Sequence, residues 1–237
     1  MNHHTVFFEL RERVCAANIE LFNSGLIIST FGNVSEKLEH EGVTYVAIKP
    51  SGVSYQKLLP KDIPILNISG EHIDGVLRPS SDTPTHLYLY QQMPNVGGIT
   101  HTHSTHATAW AQSGKSIPIF GTTHADYGYR SVPCTRELSI AAIENDYEKN
   151  TGVEIVDYLK INNHLDANMV LVRHHGPFTM GNSGSDAVHN AILLEEIAKI
   201  AFITMQLNPQ SLEISEHLIS KHYSRKHGPK KYYGQCS

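Results

Sequence analysis

Two short apolar runs that end in histidine constrain this chain more than any other feature. Gly97-Gly98-Ile99-Thr100-His101-Thr102-His103 reads as a buried strand, and Met169 to Val172 as a second one that ends at Arg173-His174-His175-Gly176. Helical patterns surround them. Residues 5–23 place Val6, Leu10, Val14, Ala17 and Leu21 at three- and four-residue steps, the stripe of an amphipathic helix. Ser80-Ser81-Asp82-Thr83-Pro84 joins capping residues to an early proline, so a helix is expected to start there and run to about Gln92. Thr105 to Gln112 predicts another helix. The longest runs from Ser185-Asp186 to about Leu207 and is expected to bury Val188, Ala191, Ile192, Ile197, Ala198, Ala201, Phe202 and Met205. Val43 to Ile48 reads as a further strand, and the tail from Lys221 to Gln235 is basic and aromatic, with no helical apolar stripe. Strands interleaved with helices indicate an α/β layered domain, although pattern alone leaves the strand order open.

Composition narrows the function classes. A chain of 237 residues, 40% hydrophobic and 18% charged, fits one large globular domain that needs no disulfide staples. A formal charge of −4 argues against a nucleic-acid or anionic-membrane binder. Cys15, Cys134 and Cys236 are an odd, widely spaced set, which points to a reducing compartment and away from a thiolate metal site. The most apolar helix carries Glu195, Glu196 and Lys199, and the N-terminus becomes charged by Glu9, so neither a membrane span nor a signal peptide is expected. A cytoplasmic protein is the default reading.

Residues two apart on a strand share a face, so His101 and His103 would present two imidazoles side by side. Sixteen histidines make one such pair expected by chance, and the spacing alone is weak. A metal site needs further ligands. His174 or His175 can supply one, but adjacent strand residues face opposite ways and the spacing leaves open which. Asp82 is a plausible oxygen ligand and an equally plausible helix cap. Three imidazoles and a carboxylate suit zinc, with manganese or cobalt as substitutes.

Small polar loops form a second feature. Gly32-Asn33, Ser51-Gly52 and Ser80-Ser81, with Lys49 nearby, combine glycine, hydroxyls and a helix start, a set able to cradle a phosphate. Each alone is more often a turn. Neither nucleotide-binding glycine motif occurs. In Gly121-Thr122-Thr123-His124-Ala125-Asp126, Asp126 is either a general acid or base or a turn carboxylate.

Taken together these segments resemble the class II aldolase and epimerase family of sugar-phosphate enzymes, from about Gly32 to Gln235. The resemblance is carried by Gly32-Asn33-Val34-Ser35, Lys49-Pro50-Ser51-Gly52-Val53, Pro79-Ser80-Ser81-Asp82-Thr83-Pro84-Thr85-His86, His101-Thr102-His103, Gly121-Thr122-Thr123-His124-Ala125-Asp126 and His175-Gly176-Pro177-Phe178. It is closest to the L-ribulose-5-phosphate 4-epimerase branch: Asp82 stands where the fuculose-phosphate aldolases typically place Glu. The ending Lys221-His222-Tyr223, Arg225-Lys226-His227-Gly228, Tyr232-Tyr233-Gly234-Gln235 also resembles that branch.

The resemblance implies a three-layer α/β/α domain spanning 1–237 with a central, mostly antiparallel sheet. It implies one divalent metal per subunit, zinc foremost, held by His101, His103, His175 and Asp82, which selects His175 over His174. Gly32, Asn33, Ser51, Gly52, Ser80 and Ser81 match substrate and phosphate contacts, with Lys49 close by. Asp126 and Tyr233 match an acid/base pair, and Thr122 and His222 match supporting positions. The 221–237 tail is expected to carry Tyr233 into a neighbouring subunit's site in a homotetramer. The implied reaction interconverts L-ribulose 5-phosphate and D-xylulose 5-phosphate by retro-aldol cleavage and re-addition, through an enediolate and glycolaldehyde phosphate. That reaction serves L-arabinose or L-ascorbate routes. The alternatives are a class II sugar-phosphate aldolase and a non-catalytic adducin-like interaction module.

Overall fold

The computed structural model describes residues 3–227 and Tyr232; Tyr233 and the remaining tail positions named above lie outside the described residues. The strands are β1 (Asn33–His40), β2 (Val43–Ile48), β3 (Ile65–Asn67), β4 (His72–Asp74), β5 (Gly98–His101), β6 (Met169–Val172) and β7 (Gly176–Gly181). The helices are α1 (His3–Asn23), α2 (Thr83–Gln92), α3 (Thr105–Ser113), α4 (Thr122–Ala125), α5 (Ile140–Glu144), α6 (Tyr147–Ile161), α7 (Gly184–Leu207) and α8 (Glu216–His227). The strands form one sheet in the order β4-β3-β2-β1-β5-β7-β6, and every neighbouring pair is antiparallel.

Alternation along the central strands shows why helices cover both faces. Tyr45 and Ala47 of β2 pack with Phe7, Leu10 and Val14 of α1, whereas Val46 between them packs with Leu87 and Tyr90 of α2 and Val156 of α6. In β6, Met169 and Leu171 meet α3 and α7, while Val170 and Val172 meet α2 and α6. The sheet therefore lies between an α2/α6 layer and an α1/α3/α7 layer, the three-layer architecture expected. Period-two alternation with both faces apolar leaves no solvated face.

Most expected elements form close to their predicted bounds. The helix over 185–207 forms, but Phe202 is 48% exposed, not buried, whereas Leu194 and Glu195 lie inside. The buried stripe steps 188, 191, 194–195, 198, 201, and Phe202 falls off it. The tail also differs from expectation, because α8 is helical without an apolar stripe. Its basic side chains are held by a buried carboxylate instead.

Candidate active site

The sheet register assembles the first part of the site. Asn33 of β1 pairs with His101 of β5, and His101 pairs with Phe178 of β7, so three motif residues form one row across the sheet. β5 ends at His101, and His103 lies two residues beyond it. The chain stays extended enough to bring the two Nε2 atoms to 3.1 Å. His175 enters from the β6–β7 turn. There His174 takes a left-handed conformation, φ 61°, and points its ring outward beside Arg173 and Glu137, leaving His175 on the inner side. One ligand atom from each of His101, His103 and His175 lies within 4.8 Å of the others, a group able to hold a metal ion. The group able to hold a metal ion therefore includes His175 and not His174.

The chemistry of these donors fits a divalent cation. Burial lowers the pKa of all three rings; for His175 burial, reinforced by His101 and His103, takes it to about 3. They are neutral imidazoles near pH 7, the form a metal requires. His101 Nδ1 lies 2.9 Å from Pro177 O, an acceptor only, so that nitrogen carries the proton and Nε2 keeps its lone pair. Tyr147 OH lies 3.2 Å from His175 Nδ1 and occupies the same outer position on that ring.

Asp82 is the N-cap residue of α2 but makes no side-chain capping bond. Its carboxylate instead accepts from Asn33 Nδ2 at 2.6 Å. Burial works to raise its pKa, but His101, His86, the Asn33 bond and His175 outweigh that and hold it below the usual carboxylate range. An ionised carboxylate within the field of the triad complements a cation there. Asn33 Oδ1 is buried with no hydrogen-bond partner.

The polar loops gather around the same point. Ser51 N donates to Arg78 O at 2.9 Å, Ser80 N donates to Lys49 O at 3.0 Å, and Asn33 Nδ2 reaches Ser80 Oγ at 3.1 Å. Asn33, Lys49 and Ser80 are so joined beside Asp82, Ser51 is bonded to Arg78 two residues before Ser80, and Gly32, Gly52 and Ser81 adjoin these residues in the chain. Lys49 is 2% exposed, with Nζ 3.3 Å from Pro50 O and 4.5 Å from the Tyr55 ring centre; burial lowers its pKa to about 8.

Gly32 has φ +90°, and a Cβ there would meet His101 O at 2.8 Å. Only glycine lets β1 approach the ligand strand so closely. We expect Gly32→Ala to lower unfolding free energy by about 1–3 kcal/mol and to loosen metal binding together. Urea denaturation and metal titration read the two effects, and an unchanged pair contradicts the close approach.

Asp126, Thr122 and His222 form a second cluster. Asp126 follows α4, and its N–H donates to Thr122 O at 2.9 Å. Its Oδ1 accepts from His222 Nδ1 at 2.9 Å and Arg225 Nε at 3.0 Å, and Oδ2 accepts from Arg225 Nη2 at 2.6 Å. Burial pushes Asp126 upward, but these bonds and the Lys226 charge prevail and hold its pKa below the usual range. Neither Asp126 nor His222 hydrogen-bonds to the histidine triad within the chain.

Two residues went unread in the sequence. Glu195 of α7 accepts from His106 N at 2.8 Å and Ala107 N at 3.0 Å, closing the N-terminus of α3 directly after His103. Its signal was position: a carboxylate on the buried stripe of an apolar helix. Tyr147 gave no signal, because no motif contains it.

Residues 12–202 match the model of the class II aldolase and adducin N-terminal domain. The chain belongs to that family. Solved class II aldolase-family structures share the fold across nearly their full lengths. An L-fuculose 1-phosphate aldolase superposes with TM-score 0.75 at 21% identity, covering 92% of this chain and 95% of the other. YgbL from Escherichia coli, a candidate aldolase/epimerase/decarboxylase, gives 0.71 at 24%, covering 91% and 98%. The L-fuculose-1-phosphate aldolase of Thermus thermophilus gives 0.65 at 20%, covering 85% and 97%. No helix among the described residues is long and apolar enough to cross a membrane.

Proposed function

We propose that this class II aldolase-family protein is a metal-dependent epimerase interconverting L-ribulose 5-phosphate and D-xylulose 5-phosphate. The observation that carries this reading is Asp82: a carboxylate not spent on capping α2, bonded to Asn33, and facing the triad's field. An aldolase that releases its aldehyde is the second reading, favoured by the fuculose-phosphate aldolases among the structural neighbours. Retention of every candidate ligand argues against a non-catalytic adducin-like module.

The inverted carbon, C4, has no adjacent carbonyl, so proton abstraction there yields no stabilised carbanion. When a base takes the C4 hydroxyl proton, the C4 oxygen forms the carbonyl of glycolaldehyde phosphate as C3–C4 breaks, and the electron pair is left on C3, next to the C2 ketone. A divalent ion, zinc foremost, held by His101, His103, His175 and Asp82 would supply Lewis-acid polarisation of the ketose oxygens. The loop residues Gly32, Asn33, Ser51, Gly52, Ser80 and Ser81, with Lys49 close by, contact the substrate and its phosphate and keep the aldehyde from leaving before it turns. Re-addition to the opposite face then inverts C4.

Two faces need two proton carriers, and we assign Asp126 and Tyr233. Asp126 lies apart from the triad's hydrogen-bond network in its own chain, which favours delivery of the pair across a subunit boundary in a tetramer. We expect Tyr233→Phe to cut epimerase kcat by about 10²–10⁴-fold with the metal still bound. Wild-type turnover in that variant contradicts the role. The function itself is tested by following D-xylulose 5-phosphate and free aldehyde from L-ribulose 5-phosphate, with and without a chelator. Chelator-sensitive epimerisation with little aldehyde supports the epimerase, and net aldehyde release moves the protein to the aldolase reading.

A further inference from the structure

Beneath the candidate metal site, where β1 packs on α2, lies a buried histidine that the chemistry above does not use. His86 is fully buried, with Nδ1 2.7 Å from Ser35 Oγ. Ser35 Oγ lies 2.8 Å from Tyr90 OH. The other ring nitrogen, Nε2, is buried and has no hydrogen-bond partner. A buried nitrogen is rarely left unpaired without a role for it.

The direction of the chain fixes the tautomer. Donation running from His86 toward Tyr90 would leave the buried Tyr90 O–H without an acceptor, since its hydrogen-bond partner among the described residues is Ser35, so Tyr90 donates to Ser35. Ser35 then donates to His86 Nδ1, which places the imidazole proton on Nε2. The reverse direction would set an Nε2 lone pair in the field of the Asp82 carboxylate, which acts on this ring electrostatically. Asp82 precedes His86 by four residues. The two therefore share one face at the start of α2, and a helical side chain leans toward the N-terminus. The edge of His86 also meets Phe178, whose opposite contact is a stack on His101 at 4.2 Å.

We propose that His86 is a positioning residue of the metal site: the Tyr90–Ser35 relay fixes its tautomer so that Nε2–H, and not a lone pair, faces the Asp82 carboxylate that Asn33 holds. The inference rests on Asp82 belonging to the metal site.

The test is cobalt(II) titration of the metal-free protein, read by binding affinity and by the visible absorption bands, with melting temperature as the folding control. His86→Asn removes the donor at Nε2, whereas His86→Gln restores a donor near that position. Ser35→Ala and Tyr90→Phe break the relay but keep the ring. The expected result is affinity about 10–100-fold weaker in His86→Asn and Ser35→Ala, with altered bands, and recovery in His86→Gln. Wild-type affinity and bands in both weakened variants overturn the proposal, as does a loss that His86→Gln fails to recover. Should His86→Asn not fold, Ser35→Ala and Tyr90→Phe decide it. Asp82→Asn separates the layers: if it leaves cobalt affinity unchanged, the reading of Asp82 fails. If it weakens affinity while the relay variants do not, only the role of His86 fails.

Discussion

His101→Ala is expected to abolish stoichiometric metal binding and to lower kcat/KM by about a thousandfold, since Lewis-acid polarisation contributes several kcal/mol to the transition state. His101 is the central member of the triad: its Nε2 faces His103, its ring lies 4.7 Å from that of His175, and its Nδ1–H is held by Pro177 O. Removing it leaves two imidazoles and the Asp82 carboxylate around a gap at the centre of the site, one donor short of the four-ligand set. The control is the neighbouring His174→Ala, whose ring is exposed and turned away, and which should leave metal content and activity unchanged. Metal analysis of dialysed protein, followed by assay with and without added zinc, reads both. Treatment with a chelator should reproduce the His101→Ala loss reversibly in the wild type. Full metal content in His101→Ala would remove the triad from the site.

The second large effect is acid destabilisation of the metal-free protein. Burial lowers His86 to about 3 and His124 to about 4, against an ordinary unfolded value near 6.5. Their neutral forms are therefore favoured by folding, and the unfolded chain binds the extra protons as pH falls. Stability from these groups is complete above about pH 6.5 and is lost downward toward their folded pKa values. Within that window each histidine costs about 1.4 kcal/mol per pH unit, so the pair costs about 3. Against a typical total of about 5–15 kcal/mol, two pH units suffice to unfold much of the chelated protein. His175, lowered to about 3, acts in the same sense. Circular dichroism at 222 nm from pH 7 to 4 measures it. A flat profile to pH 4.5 would mean these rings are hydrated in solution.

Much of the layered fold was legible in the residues. Val43–Ile48 and Met169–Val172 form strands with the bounds their apolar runs predict, and Asp82-Thr83-Pro84 starts α2 where cap and proline chemistry place it. β3 and β4 were not legible, because three-residue strands carry too short a pattern to stand out from loops. α8 was unread for a different reason. It lacks an apolar stripe and is held by Arg225 and His222 on Asp126, a partner about a hundred residues away in sequence.

The sequence by itself determined the candidate ligand types, the strands beside which they lie, the loops rich in glycine and hydroxyls, and the family. These depend on local pattern and on motifs read in order. Tertiary structure decided the rest: that Asp82 leaves its cap role for Asn33, that His175 and not His174 turns inward, and that Glu195 closes α3 behind the ligand strand. Each of these is a choice between partners far apart in the chain. Sheet register and helix packing set the distances among them, and distance is what a buried charge or an imidazole responds to.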